Sequence, residues 1–237
     1  MALVPFLLEN LIEVRKFLPE HIQMLCAGYP DLLVDEATVR RHIGQGELTY
    51  HPDEDAIVRW HNCAHITTHI VDSFFFFSRL GVDLSVIDIT RARGNEIIHD
   101  LNFPLPDTVN TRYDIVLDTG TVEHCFNAGQ AAINLASLVK KDGYIVQMLP
   151  LNSYNHGFYN MNPTWFHDFY PFNGFEIVMC TGVSNFFQPR FFEVPAFKRF
   201  TGIPENSVIL IVAKRIEDKT LGFPMQHKYR INQHLKG

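Results

Sequence analysis

Three aspartates stand at the ends of short apolar segments, where a folded sheet would present them to a ligand. Asp88, Asp100 and Asp118 each end or closely follow a segment that predicts a β-strand. An aspartate in this place is often a turn residue or a helix N-cap. A carboxylate can also accept two hydroxyl donors at once, so Asp88 could bind a ribose diol and Asp100 an exocyclic amine such as that of adenine. Three acids at three successive strand ends are more specific than any one of them.

Two histidines are candidates for proton transfer. His124 follows the segment that ends at Asp118, and His156 follows the next predicted strand. An imidazole titrates near neutral pH and therefore suits a general base. The alternatives are that His124 packs at a helix start and that His156 belongs to a loop. The residues around His156 suit a polar ring substrate, or they fold the loop onto the sheet: Tyr154, Tyr159, Asn160 and Trp165.

The sequence offers weak signals for a metal site. Glu123 adjoins His124, but two ligands are too few for a site. His61, His65 and His69 recur every four residues and would share one face of a helix, a spacing that can chelate a transition metal. Such a stripe is more often a partly buried polar surface, and here it could also face a substrate. We therefore predict no metal.

Short apolar segments alternate with helix-like segments along the chain, which is typical of a sheet with helices on both faces. The strand segments are almost continuously apolar, as expected of strands that are buried on both faces. Ligands of such sheets bind at the carboxyl ends of the strands, where the strand order reverses. We predict helices over 1–20, 35–43, 62–79 and 128–140, and strands over 21–27, 83–89, 96–101, 113–117, 144–149, 175–180 and 208–213.

Composition excludes several classes of protein. The 237 residues are 46% hydrophobic and carry a net charge of −6, so the chain has a core and lacks the basic footprint of a nucleic-acid-binding protein. The four cysteines stand singly, which argues against a zinc ribbon or a disulfide framework and favours the cytoplasm. The N-terminal segment carries four charges among its apolar residues, so neither a signal peptide nor a membrane span is predicted. The expected partner is a small molecule.

The segment from 113 to 150 resembles the second half of a class I S-adenosylmethionine-dependent methyltransferase. It reads YDIVLDTGTVEHCFNAGQAAINLASLVKKDGYIVQMLP, with a strand that ends in Asp118, then Glu123 and His124, a helix, a Lys-Asp-Gly turn and a strand that ends in Leu-Pro. The resemblance implies a Rossmann-like α/β fold with a seven-stranded, mostly parallel sheet. It also implies that S-adenosyl-L-methionine is bound by strand-end residues, namely Gly28, Tyr29, Asp31, Asp88, Asp100, Leu101, Asp118 and Thr119.

The turn after the first predicted strand departs from that family. The family has a Gly-x-Gly-x-Gly turn there, whereas this chain has only Gly28, and Tyr29 or Asp31 would have to replace the missing contacts. Asp88 lies sixty positions after Gly28, compared with about 20 in a compact nucleotide-binding unit, so we predict an insertion over 32–61. A dinucleotide needs a glycine-rich phosphate cradle, but S-adenosylmethionine has no phosphate. The degenerate turn therefore favours methyl transfer over nicotinamide chemistry.

We predict one domain over 1–237, with a substrate or lid region over 151–205. The predicted activity is methyl transfer to an oxygen or nitrogen atom of a small polar metabolite, of natural-product or glycan type. Two alternatives remain open: a catalytically inactive binding or scaffold protein of the same fold, and an NAD-dependent oxidoreductase of sugar nucleotides. The aromatic segment 186–200 could cover the substrate or form the surface of a homodimer.

Overall fold

The computed structural model describes residues 2–91, 93–186 and 188–232, so Met1, Ala92, Phe187 and 233–237 of the predicted domain lie outside it. A small parallel sheet pairs β1 (Ala2–Leu3) with β3 (Asp31–Leu32). The remaining strands form one eight-stranded sheet: β2 (Ile22–Ala27), β4 (Val82–Asp88), β5 (Ile97–Ile98), β6 (Tyr113–Asp118), β7 (Val139–Asn152), β8 (Phe175–Ser184), β9 (Arg190–Phe192) and β10 (Ser207–Arg215).

The strand order of the large sheet is β5-β4-β2-β6-β7-β10-β8-β9. The first five of these strands are parallel to one another, β10 is antiparallel to both β7 and β8, and β9 is antiparallel to β8. From β2 the chain proceeds outward to β4 and β5, and then returns to place β6 on the other side of β2. The order thus reverses between β2 and β6, and this is the point where open α/β sheets bind ligands.

Polar caps fix where several of the helices begin. The carboxylate of Asp35 accepts a hydrogen bond from Thr38 N, and that of Asp72 accepts one from Phe75 N, each at a distance of 2.8 Å. The helices are α1 (Pro5–Arg15), α2 (Glu36–Ile43), α3 (Glu54–His61), α4 (Ser73–Arg79), α5 (Ala128–Ser137), α6 (Pro163–Phe172) and α7 (His227–Ile231), with a 3₁₀ turn at Val122–His124.

Alternate residues of the central strands enter two different cores, because successive side chains of a strand point to opposite faces. Met24 and Cys26 pack with α1 and α4 on one face, and Leu25 and Ala27 pack with α5 and α6 on the other. The predicted Rossmann-like α/β fold with helices on both faces is therefore confirmed. The main sheet has eight strands rather than seven, because the three-residue edge strand β9 had no clear sequence signal.

The prediction of one continuous helix over 62–79 is wrong. Helix α3 ends at His61, its C-cap Asn62 has a left-handed φ of 50°, and α4 begins only at Ser73. His61 is the last residue of α3, while His65 and His69 lie in the loop between the helices. The predicted single face of three histidines does not exist.

The other predicted regions contain regular elements of their own. The predicted insertion over 32–61 contains α2 and α3, and the predicted substrate region over 151–205 contains α6, β8 and β9. The N-terminal helix is shorter than predicted because it ends at Arg15. No helix among the described residues is long and apolar enough to cross a lipid bilayer.

Candidate functional site

Hydrogen bonds join the loops that follow four different strands at the point where the strand order reverses. Thr121 Oγ1, after β6, donates to the carbonyl of Ala27 at the end of β2, at 2.7 Å. The amide of Asn127 donates to Oδ1 of Asn102, after β5, at 2.8 Å. The amide of Phe158, after β7, donates to the carbonyl of Glu123 at 2.9 Å. These loops therefore form one continuous surface at the carboxyl edge of the sheet.

The turn after β2 has the backbone shape that requires its single glycine. Gly28 has a φ of 85° and donates its amide to the carbonyl of Ile87 at 2.8 Å, which ties the turn to β4. The buried Tyr29 donates its hydroxyl to Asp72 Oδ2 at 2.9 Å, and burial raises the pKa of that hydroxyl well above its usual range. Tyr29 thus fixes the wall of the turn, and its predicted contact with the cofactor stays a prediction.

Asp31 and Arg93 place opposite charges beside this turn. The guanidinium of Arg93 stacks over the ring of Tyr29, 4.2 Å from its centroid, and its Nη2 lies 3.8 Å from Oδ1 of Asp31. That separation is too long for a hydrogen bond, and in the described part of the chain the buried Oδ1 of Asp31 has no hydrogen-bond partner. His61 Nε2 lies 3.3 Å from the other oxygen, Oδ2. Sequence reasoning did not identify Arg93, because nothing in the chain links it to Asp31.

The two acids at the ends of β4 and β5 each use one oxygen for the local turn. Asp88 Oδ1 accepts from the amide of Thr90 at 3.0 Å, and Asp100 Oδ1 accepts from the amide of Asn102 at 2.9 Å. That hydrogen bond lowers the pKa of Asp100. The other oxygen, Oδ2, receives no hydrogen bond from the described residues in either case. Both acids are therefore turn residues with one acceptor oxygen that the described residues leave unused, and their predicted contacts with the cofactor stay predictions. Leu101 is buried in the core that contains α5.

Asp118 lies beneath the site. It is fully buried, and its carboxylate accepts from Gln147 Nε2 and from the amide of Thr121, both at 2.8 Å. The hydroxyl of the buried Tyr170 donates to Gln147 Oε1, which completes a polar chain through the sheet. Burial raises the pKa of Asp118. Asp118 therefore holds the loop after β6, and the ligand contacts predicted for it and for the buried Thr119 stay predictions.

Glu123 lies against both candidate histidines. Its Oε1 is 3.9 Å from Nε2 of His124 and 3.5 Å from Nε2 of His156, and the two imidazole centroids are 5.2 Å apart. Glu123 is only 1% exposed, so burial, and then the charge of Asp118, raise the pKa of its carboxyl group. Partial burial, and then the neighbouring His156, lower the pKa of His124. The sequence placed the two histidines in one site, and the structure adds the acid between them.

The segment after β7 is shaped to bring His156 to Glu123. A Cβ atom on Gly157 would lie 2.9 Å from both Cγ and the carbonyl oxygen of Glu123, so only glycine fits there without displacement. Asn160 Oδ1 accepts from the amide of Ser153 at 2.8 Å and closes the loop. Asn160 therefore has a local structural contact, and its predicted contact with a substrate stays a prediction.

Exposed aromatic rings belong to the same two loops as the histidines. Phe126 and Phe158 meet edge to face with centroids 5.5 Å apart, and they are 73% and 63% exposed. The hydroxyl of Tyr159 donates to the carbonyl of Phe126 at 2.7 Å, and Tyr154 extends into solvent. Trp165, by contrast, packs against the core on α6, where it stacks on Phe169. Of the predicted substrate residues, the two tyrosines are thus the ones that the structure leaves exposed near the histidines.

No family model matches the chain, and no curated protein sequence does. Among solved structures, it is similar to a 1,6-didemethyltoxoflavin N1-methyltransferase of Burkholderia thailandensis, crystallised with 1,6-didemethyltoxoflavin and S-adenosylhomocysteine. That likeness has 12% identity, covers 87% of this chain and 76% of the other, and has a TM-score of 0.45.

Two further solved structures are similar at the same level. TehB from Haemophilus influenzae is 8% identical over 87% of this chain, with a TM-score of 0.47, and the likeness spans only 62% of TehB itself. A structure from Listeria monocytogenes with a provisional S-adenosylmethionine-dependent methyltransferase designation is 12% identical over 87% of this chain and 96% of its own, with a TM-score of 0.39. Because all three TM-scores are below 0.5, an activity has to be inferred from the strand order and the strand-end residues of this chain.

Proposed function

We propose that this chain transfers a methyl group from S-adenosyl-L-methionine to an oxygen or nitrogen atom of a small polar metabolite. One observation carries the proposal. Two strand-end acids with an unused carboxylate oxygen lie on the same edge of the sheet as a buried glutamate that contacts two imidazoles. The two acids suit the binding of a nucleoside, and the glutamate with its two imidazoles suits proton transfer. A methyltransferase needs both.

The unused acceptors fit the nucleoside of this cofactor. Oδ2 of Asp88 can accept from the ribose hydroxyls, and Oδ2 of Asp100, at the neighbouring strand, can accept from the adenine amine. The amino-acid part of the cofactor carries one positive and one negative charge. Asp31 and Arg93 are close enough to share a ligand and too far apart to satisfy each other, so they suit the ammonium and the carboxylate, respectively.

The cofactor supplies a methyl group that is already activated on a sulfonium, so the protein mainly aligns the acceptor with it. His124 and His156 lie where they can contact the acceptor, and the lowered pKa of His124 keeps its imidazole neutral and able to take a proton near pH 7. The acceptor oxygen or nitrogen gives up its proton as its electron pair forms the new bond to the methyl carbon. The carbon–sulfur bond breaks and its electrons stay on sulfur, which leaves S-adenosylhomocysteine.

The exposed rings of Phe126, Phe158 and Tyr159 favour an acceptor with a planar or apolar face. A cyclic polar compound of natural-product or glycan type can pack against the aromatic side chains and hydrogen-bond to the imidazoles. The proposal also includes a cytoplasmic location and a homodimer.

Calorimetric titration of the full chain with S-adenosylhomocysteine, with NAD as the control, tests the proposal. We expect micromolar binding of the former and no binding of NAD. Binding of NAD alone would favour the oxidoreductase. Absence of binding by both would favour a scaffold protein, and Asp88 and Asp100 would then be turn residues only.

A further inference from the structure

We propose that Glu123, His124 and His156 bind a divalent transition-metal ion. The proposal deepens the function proposed above, because the ion would lie where the methyl acceptor binds. Two imidazole nitrogens and one carboxylate oxygen are ligands that such ions accept, and together they leave coordination positions open. The sequence predicted no metal because only two of the three ligands are adjacent in the chain.

The separations of the ligand atoms suit one shared ion. One ligand atom from each residue lies within 4.8 Å of the other two, and the two carboxylate–imidazole distances are 3.5 and 3.9 Å. Metal–ligand bonds of about 2.1 Å place neighbouring ligands about 3.0–3.4 Å apart. The side chains of His124 and His156 are 49% and 55% exposed, so small rotations of these rings can close the difference.

The buried carboxylate supplies an independent observation. In the described part of the chain, Oε2 of Glu123 has no hydrogen-bond partner although the residue is almost completely buried. The ion pairs of Glu123 among the described residues are those with the two histidines, and none of the described lysines or arginines forms an ion pair with it. An unpartnered buried carboxylate is costly, and a bound cation compensates it.

The donor set also indicates the class of ion. Imidazole nitrogens suit zinc, copper, iron and nickel, whereas magnesium, calcium and manganese prefer oxygen ligands. In the open positions, the ion would hold the acceptor hydroxyl and lower its pKa. The acceptor proton would then pass to solvent, and the imidazoles would act as ligands and not as bases.

The metal alone is a sufficient probe. The full chain is stripped with a chelator and titrated with Co²⁺, followed by absorbance, and with Zn²⁺, followed by calorimetry. We expect one ion per chain with micromolar or tighter affinity, and at least about tenfold weaker binding for both Glu123→Gln and His156→Ala. His69→Ala is the matched control, because His69 also lies beside a glutamate, with Nδ1 3.2 Å from Glu54, and should bind as the wild type does.

Two results would overturn the proposal: no Co²⁺ or Zn²⁺ binding by the wild type, or equal affinities for the wild type and both cluster variants. Circular dichroism of each variant shows whether it is folded. Titration with S-adenosylhomocysteine in the presence of chelator separates the two proposals. Intact binding there with no metal binding overturns the metal site alone, whereas metal binding without cofactor binding supports the metal site and contradicts the proposed methyl transfer.

Discussion

Nε2 of His156 lies 3.5 Å from Oε1 of Glu123, and the two residues belong to loops after different strands. The backbone hydrogen bond from Phe158 to the carbonyl of Glu123 and the missing side chain of Gly157 make this contact possible. A buried acid therefore meets an exposed imidazole at the edge of the sheet. The proposed chemistry, whether by a free base or a bound ion, depends on this contact.

Gly157→Ala should disturb the contact. The new Cβ would lie 2.9 Å from Cγ and the carbonyl oxygen of Glu123, so one of the two loops must move. We expect a loss of about 1–3 kcal/mol in the free energy of unfolding, measured in urea. Gly222→Ala is the control, because its Cβ would meet only the ring of Phe172 at an ordinary 3.5 Å. Equal stabilities of the two variants would contradict the tight packing of Gly157.

The stability of the metal-free protein should depend on Glu123 in a defined direction of pH. Burial raises the pKa of this carboxyl group in the folded state above its unfolded value, so the folded state retains a proton that the unfolded chain loses. The retained proton stabilises the folded wild type, and this contribution is complete at low pH. It is lost as the pH rises from about 4.3, the usual glutamate pKa, through the raised pKa of the folded state.

The difference in unfolding free energy between Glu123→Gln and the wild type should therefore rise with pH between about 5 and 8. Urea unfolding at several pH values, with chelator present, measures it. The variant His69→Ala should show no such trend, because His69 has no buried acid as its partner. A flat difference for Glu123→Gln would show that its carboxyl group titrates normally.

Arg93→Gln should weaken binding of S-adenosylhomocysteine by about tenfold, because the amino-acid carboxylate loses its cation. The stacked guanidinium is 4.2 Å from the centroid of Tyr29 and next to Asp31. The matched ligand is 5′-methylthioadenosine, which lacks the amino-acid part and should bind equally to the variant and the wild type. Calorimetry with both ligands gives the comparison. A parallel loss for both ligands would mean that Arg93 supports the fold and not the amino acid.

Asp100→Ala should weaken binding of S-adenosylhomocysteine by about tenfold, because the adenine amine loses its hydrogen-bond acceptor. Its Oδ1 is used by the amide of Asn102, so Oδ2 is the acceptor for the adenine amine. Asp107→Ala, an exposed acid of the following loop, is the control and should keep the wild-type affinity. The same loss in both variants would point to a general effect of charge.

Much of the sheet is predictable from the sequence, because its central strands are buried on both faces and therefore consist of continuous apolar segments. The strand from 21 to 27 was placed within one residue of β2. The histidine stripe failed for a local reason, since the left-handed Asn62 and the Asp72 cap interrupt the helix on which it depended. The four-residue spacing of the histidines does not reveal either of these helix ends.

The candidate site was predictable only where it follows strand ends. Asp88 and Asp100 are found that way, as are His124 and His156. The position of Glu123 between the histidines was not, because it depends on the loop after another strand, β7, in which Gly157 packs against Glu123. The same holds for Arg93 beside Asp31, and for the chain that joins Asp118 to Tyr170 through Gln147. These are long-range contacts between side chains, and they carry no pattern in a single sequence.

Binding of S-adenosylhomocysteine to Asp88→Asn tests the central claim most directly. Asp83→Asn is the matched control, because Asp83 is exposed near the opposite end of the same strand, β4. We predict micromolar binding by the wild type and by Asp83→Asn, and an affinity about tenfold lower or weaker for Asp88→Asn, measured by calorimetry on the full chain. Equal affinities for all three proteins would contradict the placement of the ribose at Asp88, and absence of binding by the wild type would contradict the proposed cofactor.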